Sequence, residues 1–198
     1  MIIYRWCDSP DHAVAHPRLR PVLRLVADDL VDEQLNKSQQ EIRRHDCLFG
    51  HPSLKDAISA PHRIDQRLFR VDASGPNRVV ADAEAIDALV APTTWRRLEA
   101  LLLDRGFDPD TIGETLSPLT TAQSLAEWQN YTGIDELLGK PVADETRRYF
   151  LPQISRYLQT MRPPSEGFKT MIRPEVLFHP DGAQIVDELR PHARTKNQ

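Results

Sequence analysis

The chain has only two cysteines, Cys7 and Cys47, in 198 residues. Two thiols cannot build a disulfide scaffold, so the fold must rest on an apolar core. Glycine is scarce, at eight residues. No Gly-x-Gly-x-x-Gly follows a strand and no Gly-x-x-x-x-Gly-Lys occurs, which removes the commonest phosphate-cradling loops. A Gly-x-Ser-x-Gly nucleophile elbow is also missing. Apolar runs stop after a few residues, as in Ala100-Leu101-Leu102-Leu103, whereas a bilayer span needs about twenty. No internal repeat is visible. There is no basic excess: 25 Lys and Arg face 29 Asp and Glu, for a net charge of −4. A protein devoted to duplex nucleic acid meets phosphate with a clear positive surplus, so nucleic acid is a disfavoured partner.

What is present describes a folded chain. Hydrophobic residues make up 40% and charged residues 27%, enough for a sizeable core and too apolar for a disordered polymer. The length predicts a single domain over 1–190 with a tail at 191–198, or alternatively a boundary near Pro92. Arginine far outnumbers lysine, and arginine meets carboxylates in a planar fork. The pairs Arg43-Arg44, Arg96-Arg97 and Arg147-Arg148 lie close to acidic residues. They read as solvated helical faces with ion pairs of roughly 0.3–0.5 kcal/mol each. Met1 to Trp6 lacks a basic and long apolar leader and reads as a first strand. The expectation is therefore a cytoplasmic protein with reduced thiols.

The periodicities predict α+β: a predominantly helical middle with short antiparallel β elements near both ends. A strand is expected over 2–6, then a loop from Cys7 to Pro17. After Pro21 no glycine or proline interrupts the chain to about Arg44, with Leu23, Val26 and Leu30 on one helical face and the polar stretch Asn36 to Arg44 either an exposed helical extension or a frayed end. A short helix is expected from Ser53 to Ile58. Residues 66–81 read as a β-hairpin around Ala73-Ser74-Gly75-Pro76-Asn77. Asp82 is placed to cap a helix through Val90. Thr93 or Thr94 would open a helix ending at Gly106, with Trp95, Leu98 and Leu102 inside. Asp108-Pro109 starts another helix, and Thr120 with Gln123 fits a capping box for a helix that Gly133 ends. Phe150, Ile154, Tyr157, Leu158 and Met161 form the strongest helical stripe. Pro152 within it predicts a kink or two helices. Strands are expected at 168–173 and 175–179, with 184–186 returning across a turn at His179-Pro180-Asp181-Gly182. The terminal strands are expected to share a sheet.

The chemistry-bearing residues cluster in the first third, at His45-Asp46-Cys47-Leu48-Phe49-Gly50-His51. Imidazole and thiolate are zinc ligands, and Cys7, His12 and His16 lie upstream. The spacings do not follow the paired Cys-x-x-Cys or His-x₃-His patterns. The order His16, His45-Asp46 and then Asp104 or Asp110 resembles metal-dependent phosphohydrolases of the HD superfamily. That resemblance implies a divalent metal and water activated by it. It rests on those residues alone, and it departs from the family in the polar stretch Gln39 to Arg44 and in His16 preceding Pro17. The competing expectation is a non-catalytic module that binds another protein, of the inhibitor, immunity, adaptor or phage-antagonist type in bacteria. Such a module needs no cofactor. Its contact residues would be Asp28, Asp29, Asp32 and Glu33, with Trp128, Tyr131 and Tyr149 as aromatic anchors.

Overall fold

The computed structural model describes residues 1–15, 22–38, 42–60, 62–75, 77–120 and 131–189. The fold is α+β, as the periodicities require. Two compact units are interleaved along the chain: Met1–Pro17, Asp46–Ala81 and Arg162–Gln198 form a sheet unit, and Arg18–His45 with Asp82–Met161 form a helical unit. Among the described residues the chain crosses between the units at 45/46, 81/82 and 161/162.

The sheet unit holds β1 (Ile2–Cys7), α1 (Pro10–Val14), β2 (Leu48–Gly50), α3 (Leu54–Ser59), β3 (Arg67–Ala73), β4 (Val79–Asp82, its last residue in the helical unit), β5 (Pro174–Phe178) and β6 (Ala183–Leu189). One sheet runs β1-β3-β6 and the other β2-β5-β4. A bridge joins them. The Tyr4 amide donates to the His51 carbonyl at 2.9 Å, and the His51 amide donates back at 2.7 Å. Ile3, Cys7, Ala13, Leu48, Phe69, Val71, Ala73, Val80, Val176 and Phe178 form the core.

The strands of the expected hairpin exist, but they do not pair with each other. β3 lies antiparallel between β1 and β6, while β4 joins β5. Leu68 and Phe69 are adjacent and both buried, so β3 is covered on both faces there. A strand so placed needs partners along both edges for its backbone groups. The return strand likewise pairs with β3 instead of β5. The terminal strands do share a sheet, with β3 between them. Two further expectations are corrected: residues 10–14 form α1, with Ser9 as N-cap and Pro10 in its first turn, and 168–173 contains no strand.

At Gly50 in β2 the backbone packs tightly against β1. A Cβ there would lie 2.7 Å from Ile3 Cδ1, 3.1 Å from Arg5 Cγ and 3.2 Å from the Tyr4 carbonyl oxygen. Ile3 is fully buried, so it has little room to yield. Gly50→Ala is expected to cost about 1–3 kcal/mol by overpacking. The measurement is the urea midpoint, which should fall.

The helical unit holds α2 (Val22–Lys37), α4 (Glu84–Val90), α5 (Pro92–Asp104), α6 (Pro109–Thr120), α7 (Ile134–Leu138) and α8 (Lys140–Thr160). Trp95, Leu98 and Leu102 are fully buried, as their spacing requires. Gly106 takes φ +82 just past α5, the left-handed value expected for its position. Helix α5 starts at Pro92, ahead of the threonines, because proline suits the first helical position. Asp82 sits one residue outside the cap, and its carboxylate accepts from the Glu84 amide at 3.2 Å. Helix α8 is one helix through Pro152. Pro152 and Arg148 are both exposed, so water can replace the donor that proline withholds from the Arg148 carbonyl. Thr120 is the last described residue of α6, and Gly133 is the N-cap of α7. The expected helix over 121–130 lies outside the described residues.

No helix among the described residues is long and apolar enough to cross a membrane.

Candidate functional site

The acidic residues of α2 define the most connected polar site. Helix α2 ends at Lys37, and residues 42–46 turn back beside it without helical structure. The reason lies in Asp32. Its Oδ1 accepts the Arg44 amide at 2.6 Å and its Oδ2 accepts the His45 amide at 3.0 Å. One carboxylate therefore satisfies two backbone donors of a turn that has no ladder to join. Arg44 is fully buried in consequence. Its Nε lies 3.0 Å from Asp28 Oδ1, its Nη1 donates to the Tyr157 hydroxyl of α8, and its Cζ sits 4.8 Å from the Tyr157 ring centroid. Arg24 approaches the same Asp28 oxygen at 3.5 Å.

Of the acids expected as contact residues, Asp28 is fully buried and Asp32 nearly so, whereas Asp29 and Glu33 are half-buried. Asp28 and Asp32 hold Arg44 and its turn in place. The stripe Leu23, Val26 and Leu30 is buried as expected, but so are Ala27 and Val31, and α2 is enclosed around most of its circumference. Glu33 is half-buried, in a bidentate pair with Arg147 at 2.7 and 2.8 Å, and Arg147 also meets Asp135 at 2.7 Å and Asp144 at 3.3 Å. Tyr149 is half-buried, edge-on to Phe150. Trp128 lies outside the described residues.

Asp29, His45 and Tyr131 form the solvent-reached margin of this network. The Tyr131 hydroxyl donates to Asp29 Oδ2, while His45 Nδ1 lies 3.4 Å from Asp29 Oδ1 and 3.6 Å from Asp32 Oδ2. Burial lifts Asp29 above the usual carboxylate range, against the pull of the Tyr131 hydrogen bond and of His45. The hydrogen bond to Asp32 lifts His45 above the usual imidazole value, with burial opposing. Burial raises the Tyr131 phenol, and its bond to Asp29 adds to this. In each case the fold binds the proton more tightly than the unfolded chain does. Each contribution is therefore complete below the unfolded pKa and is lost as pH rises through the folded one. For His45 the loss begins above about 6.5. The helical unit is expected to be more stable near pH ~6 than near pH ~9, read from urea midpoints, and His45→Gln should flatten that slope.

His45 belongs to the helical unit, and Asp46 and His51 belong to the sheet unit. Asp46 is exposed. The His51 Nδ1 is buried without a hydrogen-bond partner, and burial holds its pKa below the usual imidazole value against the charges of Glu175 and Asp56. Neither Cys7 nor Cys47 is in a disulfide and both are buried, and the Cys7 thiol donates to the His12 carbonyl at 3.5 Å. Asp104 and Asp110 are exposed, and His16 lies outside the described residues. Among the described residues, no group of three or more His, Cys, Asp or Glu side chains is arranged to hold a metal ion.

A second site escaped the sequence reading. Helix α3 exposes Leu54 and Ile58 on one face while burying Ala57, and Ile64 in the following loop is fully exposed. Trp6 anchors both segments. Its indole N–H donates to the Ala57 carbonyl at 2.7 Å, and its ring stacks flat on His62 at 3.8 Å between centroids. His62 Nδ1 also lies 3.0 Å from the Ala60 carbonyl oxygen, and Arg63 pairs with Asp8 and Asp65. The loop therefore holds Ile64 outward on a fixed base. The signal was an isoleucine isolated in the polar run His62-Arg63-Ile64-Asp65-Gln66.

No protein-family model, no curated protein and no solved structure matches this chain.

Proposed function

We propose that the chain is a non-catalytic module that binds another protein through the aliphatic ridge of Leu54, Ile58 and Ile64. The observation that carries this reading is the full exposure of Ile64 on a loop pinned by Trp6 and Arg63. Exposed apolar clusters rimmed by charge mark interaction surfaces. Here Lys55, Arg63 and Asp65, next to Leu54 and Ile64 in the sequence, are exposed as well. Holding the ridge in place beforehand lowers the entropy lost on association. Asp28, Asp32 and Glu33 of α2 are engaged with Arg44 or Arg147, and Asp29 with Tyr131 and His45. Inhibitor, immunity and adaptor proteins work in this way without cofactors. Two buried cysteines outside any disulfide suit a reducing, cytoplasmic setting.

The test is a photo-crosslinking residue at position 64, used in cells of the source organism. One discrete adduct is expected, and it should be lost with Ile58→Glu in a chain of unchanged circular dichroism. Equal labelling from the exposed control position Glu136, or no adduct, overturns the reading. Stoichiometric metal together with phosphohydrolase activity, both removed by His45→Ala and His51→Ala, would replace it with the metal-dependent hydrolase.

A further inference from the structure

We draw no further inference here: the strongest candidate, the Arg5 guanidinium lying 5.8 Å from the Phe178 ring centroid beside Cys7 in the sheet unit, leaves its Nε and Nη1 without hydrogen-bond partners, but both nitrogens are closed off from solvent and nothing in the structure shows how an anion would reach them.

Discussion

Arg44→Met is expected to destabilise the helical unit by about 3–5 kcal/mol, the usual loss when one partner of a buried ion pair is removed. Asp28 is fully buried and would keep a carboxylate in the interior with its closest cation gone. The Tyr157 hydroxyl would lose its guanidinium donor as well. Total stability is commonly 5–15 kcal/mol, so the loss is a large fraction of it. The second variant separates pairing from packing. Asp28→Leu combined with Arg44→Met replaces both charges by apolar groups of similar size, and most of the loss should be recovered. Chemical unfolding of wild type, single variant and double variant gives the comparison. If the double variant is no more stable than the single one, Asp28 is not the group that Arg44 compensates.

Trp95→Ala should be of comparable size, about 3–5 kcal/mol, by a different mechanism. Among the described residues Trp95 is the largest fully buried side chain, and its ring centroid lies 5.1 Å from that of Phe150. Its indole N–H donates to the Leu89 carbonyl at 2.9 Å. Leu89 is in the last turn of α4, where carbonyls have no helical donor, so the tryptophan both fills the core and caps a neighbouring helix. Trp95→Phe keeps most of the volume and loses the cap. It should cost about 1–3 kcal/mol, the penalty of leaving a buried carbonyl unpaired. Thermal unfolding monitored at 222 nm distinguishes the two. Equal losses from Ala and Phe would place the whole contribution in the hydrogen bond.

Elements whose order is set by near neighbours were legible. The spacing of Trp95, Leu98 and Leu102 gave the inner face of α5, and Ser53 opened α3 because its side chain caps the Asp56 amide three residues on. The stripe of Phe150, Ile154 and Tyr157 gave the inner face of α8 despite Pro152. The polar site was legible only as a list of parts. Asp28 and Asp32 looked like surface acids because they fall outside the apolar stripe of α2. Their burial depends on Arg44, 16 and 12 residues away, and Arg44 in turn depends on Tyr157, 113 residues away. Periodicity within one helix carries no record of such a partner. The hairpin failed for a related reason: the strand character of 67–73 and 79–82 was present in the residues, but their partners were chosen by the sheets.

The sequence by itself determined the α+β class, the type of most segments and the inward faces of α5 and α8. Those properties follow from backbone geometry and side-chain spacing within about four residues. Tertiary structure decided which strands pair, why an arginine and two aspartates lie inside α2's surroundings, and where an isoleucine is left in water. Burial of a charge, or exposure of an apolar group, is settled by what the rest of the chain brings to it. That balance of desolvation against long-range partners has no local signature.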